Sequence, residues 1–294
     1  MPDDCSARAR PVAAAAAGGW RRRPLAPRLP PAATLRGVSP PIVPDFHERI
    51  ARGRFALGSW VTFLDPSSAE VMAGSGFDFL IADGEHGAIG SSDLLAILIA
   101  TRAAGVPVLA RVGANEPIRI MQALDLGAAG VVVPQIRTAD DVRRAVDWCR
   151  YPPVGMRGVA PRRASEYGRH TSDYLATANA TVTCCIQIET AEALTDVEKL
   201  LAVPGIDALL IGPNDLAASI GRLGQPGDPK VEAAIGRVLE CARAAGVPAG
   251  VWTASPQSAR TRRDQGFAFA TVGTDYGFML AAAEATIQAV RGDA

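Results

Sequence analysis

Lysine is nearly missing from this sequence: of 294 residues only Lys199 and Lys230 carry an ammonium side chain. Lys199 falls in a predicted helix and Lys230 opens another, so neither stands where a strand would deliver it to an active site. A reaction through a lysine Schiff base, which needs a desolvated lysine in the site, therefore has no candidate. Histidine is scarce as well, with three residues: His47, His86 and His170. The formal charge sums to zero, which gives no concentrated basic face of the kind that binds nucleic acid. The cysteines number five, an odd count, with no CxxC pair. That excludes a disulfide framework or a zinc ribbon. Cys184 and Cys185 lie in an apolar run and read as buried, reduced thiols, as in a reducing cytoplasm. No uncharged apolar run reaches the roughly 18 residues a membrane-spanning helix needs. The glycine-rich dinucleotide fingerprint, the nucleophile elbow, the phosphate-binding loop and the HExxH zinc motif are all missing. No nucleotide or pyridoxal phosphate cofactor is expected.

The chain divides at about residue 42. Residues 1–42 hold seven arginines, many Ala and Pro, and only Asp3 and Asp4 as acids. The run Ala13–Ala17 is too short for the apolar part of a signal peptide, and the arginines at 21–23 follow it on the wrong side. The segment reads as a disordered extension or as a start placed too early; a transit peptide shares its composition.

Residues 43–294 form a second region, in which short β-branched runs alternate with Ala/Leu-rich amphipathic stretches. Strands are expected at Leu57–Phe63, Asp78–Ala82, Pro107–Arg111, Val131–Gln135, Cys184–Glu189, Ala208–Gly212, Ala249–Thr253 and Ala268–Gly273. Helices are expected near 67–73, 92–104, 117–126, 139–149, 191–202, 229–245, 256–264 and 278–291, with a short one near 172–178. "Gly-Phe-Asp-Phe" at 76–79, "Gly-Ala-Ala-Gly" at 127–130 and "Gly-Phe-Ala-Phe" at 266–269 each end a helix on a left-handed glycine and open a strand. Strand and helix in alternation with short links imply parallel strands, and eight such units close a barrel. The fold class expected is α/β, a single (β/α)8 TIM barrel, with an open doubly wound sheet as the runner-up.

In such a barrel the chemistry gathers at the carboxyl ends of the strands. Those ends carry Trp60 and Thr62, Asp83-Gly-Glu85-His86, Arg111, Gln187 and Glu189, Asp215, and Trp252. By the two-residue period, Cys185, Gln187 and Glu189 share the face that looks into the barrel, while Ile186 and Ile188 look toward helices. Two acids from adjacent strands with no lysine beside them repel each other unless a cation neutralises them. Mg²⁺ is often held by one or two carboxylates plus water and substrate. A helix cap at Asp215 and an arginine partner for Glu189 are the structural alternatives. His86 is placed for general base work or is a hydrogen-bonded rim residue. Arg111 can grip a carboxylate or enolate or form an ion pair with Asp83 or Asp125. The Arg-rich stretch 157–169 is either a recognition site for a distal anion or solvated loop charge.

Taken together, Gly58-Ser-Trp60, Gly76-Phe-Asp-Phe, Asp83-Gly-Glu-His86, Arg111, Val133-Pro134, Tyr151-Pro-Pro-x-Gly-x-Arg-Gly158, Gln187-x-Glu189 and Ile211-Gly-Pro-x-Asp215-Leu resemble the HpcH/HpaI family of class II pyruvate aldolases. The match runs in order from about residue 43 to 292. The resemblance implies a divalent metal, Mg²⁺, Mn²⁺ or Co²⁺, on Glu189 and Asp215, chelated by the carboxylate and keto oxygens of pyruvate so that the enolate is stabilised. It further implies Arg111 on the keto oxygen and His86 as base, paired with Asp125. Gln187 would hold the pyruvate end, and the backbone at Pro213, Asn214 and Asp215 a carboxylate. The implied activity is that of an aldehyde-lyase on a 4-hydroxy-2-oxo acid, in a homo-hexamer (a trimer of dimers) that exchanges helices between copies. Asn214 and the bulky Trp252 depart from the common residues and bear on the aldehyde pocket, with Trp60 nearby. A lyase for malyl- or citramalyl-type thioesters and a non-catalytic barrel are the competing readings.

Overall fold

The computed structural model describes residues 43–51 and 54–292. The extension expected at 1–42 lies outside them. Eight strands, β1 (Ala56–Val61), β2 (Phe79–Asp83), β3 (Val108–Arg111), β4 (Gly130–Val133), β5 (Thr183–Ile188), β6 (Ala208–Ile211), β7 (Ala249–Thr253) and β8 (Phe269–Thr274), pair in chain order and close into a barrel. Every pairing is parallel, β8 against β1 included. The expected barrel is the fold found.

The alternation along each strand decides what fills it. Ile81, Leu109, Val132, Cys185 and Leu210 belong to one buried cluster inside the barrel. Leu80, Ala110, Val131, Ile186 and Ile188 belong to another, between strands and helices. The split follows from the strand period of two. At the amino ends of the strands the interior is closed by three rings. Phe46, in the helix Phe46–Ala51 that leads into the barrel, packs edge-on against Phe79 at 4.9 Å and Phe269 at 5.5 Å. Gly58 and Gly250 make room for these rings: a Cβ at either would come within 2.4 Å and 2.0 Å of Phe79 and Phe269 respectively.

The helices follow the expected pattern, with local differences. The stretch expected as one helix at 191–202 is broken into Ala191–Thr195 and Val197–Leu201, with Asp196 at φ −104°, ψ 20° between them. A helix Pro213–Ser219 follows β6 directly, ahead of the expected Pro229–Ala245; Pro213 at its first position supplies a ready-made helical φ. The last helix starts earlier than expected, at Asp275, and runs to Arg291 with only Asp275 buried. The glycines at 76, 127 and 266 adopt the positive φ expected of them. Among the described residues no helix is long and apolar enough to cross a membrane.

Candidate active site

The mouth of the barrel is organised around Asp83, the last residue of β2. Its register partner on β3 is Arg111, and the two form a buried bidentate pair, Nε to Oδ1 at 2.9 Å and Nη2 to Oδ2 at 2.6 Å. Oδ1 also accepts the backbone N–H groups of Glu85 and His86, at 3.0 and 3.2 Å, which turns the chain at the strand end. Burial works against the Asp83 charge, but Arg111 and the two N–H groups hold its carboxyl below the usual range. The guanidinium stacks 4.4 Å over the ring of Trp60, and Trp60 Nε1 donates to Thr271 Oγ1 at 2.9 Å. Arg111 is thus locked from two sides.

Around this pair the charge does not balance. Glu85 Oε2 lies 3.2 Å from Arg111 Nη1, buried and without a hydrogen bond, and burial pushes its carboxyl upward. His86 is exposed at the rim, its Nε2 3.9 Å from Glu85. Glu189, one residue past β5 and 1% exposed, takes the N–H of Gln135 on Oε1 at 2.8 Å and the amide of Gln187 on Oε2. Burial first, then the charges of Glu85 and Asp215, raise the Glu189 carboxyl to about 7 despite those bonds. Asp215 stands in the first turn of Pro213–Ser219.

Two cavities meet here. One, of about 260 Å³, is lined by Trp60, His86, Arg111, Gln187, Pro213, Asn214, Asp215 and Trp252. The other, of about 410 Å³, is lined by Gln135, Arg137, Glu189, Thr190, Glu192 and Asp215. Asp215 borders both. The residues suit a hard cation on three counts. Two carboxylates, Glu189 and Asp215, line one space. Gln187 Oε1 is buried without a hydrogen bond. Gly212 keeps the space open, since a Cβ there would come within 3.0 Å of both Glu189 Oε2 and Gln187 Nε2. Among the described residues no three His, Cys, Asp or Glu converge as a ready cluster, so a cation would complete its shell with water and substrate oxygens.

Of the residues singled out in the sequence, one is not brought to the mouth. Asp125 ends the helix Pro117–Asp125 and pairs with Arg157 at 2.6 Å, not with His86. Arg157 stacks 4.4 Å from the Tyr151 ring and also donates to the Tyr174 hydroxyl at 3.3 Å. Arg163 is consumed by the carbonyls of Leu98 and Leu126. Two arginines of the 157–169 stretch therefore belong to the fold, and Arg162 and Arg169 stay exposed. Conversely, Gln135 was expected only as the end of a strand. The structure puts it beyond β4, at φ +55°, bonded to Glu189.

The site has counterparts. The family profile for HpcH/HpaI aldolase/citrate lyase matches residues 56–282. A 2-dehydro-3,6-dideoxy-6-sulfogluconate aldolase of Pseudomonas putida is 40% identical over 237 residues, covering 80% of this chain and 92% of that protein. A 4-hydroxy-2-oxo-heptane-1,7-dioate aldolase of Salmonella dublin is 39% identical over 242 residues, covering 82% and 92%. The crystal structure of an HpcH/HpaI aldolase/citrate lyase family protein from Burkholderia cenocepacia J2315 superposes with a TM-score of 0.80 at 40% identity, covering 83% of this chain and 98% of that one. Barrel, mouth and likeness agree, and the chain belongs to the HpcH/HpaI aldolase/citrate lyase family.

Proposed function

We propose that this chain is a divalent-metal-dependent aldehyde-lyase that cleaves a 4-hydroxy-2-oxo acid into pyruvate and an aldehyde, and runs the same path in reverse. The observation that carries the reading is the pair of carboxylates, buried Glu189 and Asp215, that line one cavity at the barrel mouth, in a chain whose two lysines lie elsewhere. Glu189 and Asp215 are the residues that would hold Mg²⁺, Mn²⁺ or Co²⁺. A cation held there would supply Lewis-acid stabilisation of the charge that develops on the substrate oxygens.

The chain's own groups do the rest. Arg111, locked by Asp83 and Trp60, offers its remaining N–H bonds to the keto oxygen. Gln187 orients the same end of the substrate. The first-turn N–H groups at Asn214 and Asp215, which a helix leaves without an intrahelical partner, receive the carboxylate behind Pro213. His86, at the rim, takes the proton of the 4-hydroxyl as the C3–C4 bond breaks and the aldehyde leaves; a proton returned to C3 completes pyruvate. Trp60 and Trp252 wall the cavity and keep water from the carbanion. Similarity to proteins named for 2-oxo acid aldolase substrates supports this substrate class.

A homo-oligomer, a hexamer built as a trimer of dimers, is part of the reading. The helix Asp275–Arg291 leaves Tyr276, Phe278, Met279, Leu280, Ile287 and Val290 exposed. Any pairing of His86 with Asp125 would have to form between copies. A cytoplasmic location fits the free, buried Cys149, Cys184 and Cys185.

Pyruvate release from a panel of 4-hydroxy-2-oxo acids tests the reading, with malyl- and citramalyl-thioesters on the same panel. Activity that disappears with a chelator and returns with Mg²⁺, Mn²⁺ or Co²⁺ supports it; undiminished activity after complete metal removal refutes it.

A further inference from the structure

Three non-glycine residues among those described have a positive φ: Gln135, Glu166 and Tyr167. The last two lie together in a surface loop. Gln135, at φ +55°, stands alone at the mouth. The left-handed region crowds the Cβ of any residue but glycine, and such a conformation persists where its surroundings enforce it, often at a functional site.

Two bonds enforce it here. The Gln135 N–H donates to Glu189 Oε1 at 2.8 Å, and the next carbonyl, of Ile136, accepts the Thr190 hydroxyl at 3.2 Å. The loop after β4 is thereby strapped to the two residues after β5. The Gln135 side chain makes its own contacts, its Oε1 3.5 Å from Arg137 Nη2 and its amide bonded to the Glu85 carboxylate, so the contact with Glu189 belongs to the backbone.

We propose that Gln135 is a positioning residue: its left-handed backbone aims an N–H at Glu189 and holds that carboxylate toward the space it shares with Asp215, ready to bind a divalent cation. An extended or right-handed backbone at 135 would turn the N–H away and free the carboxylate to rotate. The inference rests on the reading of Glu189 as a metal ligand.

Titration calorimetry of Mn²⁺ into the full-length chain tests it, with apo melting temperature as the control for folding. Gln135→Val, whose branched side chain resists a positive φ, should weaken Mn²⁺ binding about tenfold, the low end of the loss when a group that orients a metal ligand is removed. Gln135→Gly and Gln135→Asn, which tolerate the conformation, should bind within about threefold of the unaltered protein, because the N–H is kept. Gln135→Ala should fall between, so the order Gly and Asn above Ala decides the matter even if the valine variant does not fold. Equal affinities in the Ala, Gly and Val variants would overturn the proposal, as would a glycine variant as weak as the valine one. Glu189→Gln separates the two levels: binding lost there but unchanged across the Gln135 series sinks the positioning role alone, and binding retained there removes the reading beneath it and the proposal with it.

Discussion

Two buried arginine–aspartate pairs mark the two ends of this barrel, and they sit in opposite settings. At the floor, Arg150 pairs with Asp207 and also donates to the carbonyl of Val182 at 3.0 Å. Asp207 accepts the Cys184 N–H at 2.8 Å, and His47 Nε2 lies 3.4 Å away. The ring cluster of Phe46, Phe79 and Phe269 seals the space above. At the mouth, Arg111 and Asp83 pair just as closely, but Glu85, Glu189 and Asp215 add carboxylates with no further arginine or lysine bonded to them, and Glu85 Oε2 and Gln187 Oε1 lack hydrogen bonds. The same ion pair thus serves two purposes. Where charge is balanced, the pair fixes the fold. Where carboxylates outnumber the cationic groups bonded to them, the surroundings suit a cation.

The contrast can be broken by substitution. Arg150→Met leaves Asp207 buried without its guanidinium partner, and should destabilise the fold by roughly 3–5 kcal/mol, read by denaturant unfolding, while the folded fraction keeps its kcat. A large change in kcat at the native temperature would erase the division of roles. His86→Ala should do the reverse: kcat for pyruvate release falls ~10²–10⁴-fold, the range for a lost general base, with the unfolding midpoint unchanged. Arg111→Lys keeps the charge but loses the fork to Asp83 and the stack on Trp60, and should lower kcat/KM about 10²-fold, the cost of misplaced positioning.

The smallest effect is a pH dependence with opposite signs in the apo and metal-loaded protein. Glu189 is raised from 4.5 to about 7, so the folded state holds its proton where the unfolded chain has lost it. Its contribution to apo stability is therefore greatest below about 4.5 and falls as pH rises toward 7. Metal binding needs the ionised carboxylate, so affinity rises over the same interval and levels off above it. Melting curves in chelator and in Mn²⁺ at several pH values read both trends, and Glu189→Gln should flatten both.

The barrel was legible in the sequence because a strand buried on both faces reads as a short apolar run, and left-handed glycines mark where helices stop. The mouth was legible for a related reason: a polar residue closing such a run has nowhere to point but the end of the barrel. That placed Asp83, Arg111, Gln187, Glu189 and Trp252 correctly without a structure. The Asp125–Arg157 pair escaped, since the two lie 32 residues apart, Arg157 in an irregular loop, and no periodicity links them. Gln135 escaped because a positive φ leaves a mark only when glycine or asparagine adopts it. The break at Asp196 was hidden by shortness, each piece being one or two turns.

The central claim is that Glu189 and Asp215 share a divalent cation. Mn²⁺ calorimetry on the unaltered chain, Glu189→Gln and Asp215→Asn tests it most directly. One site per chain is expected, weakened at least ~10²-fold by either substitution, with apo melting temperatures preserved. Equal binding in all three proteins would contradict it.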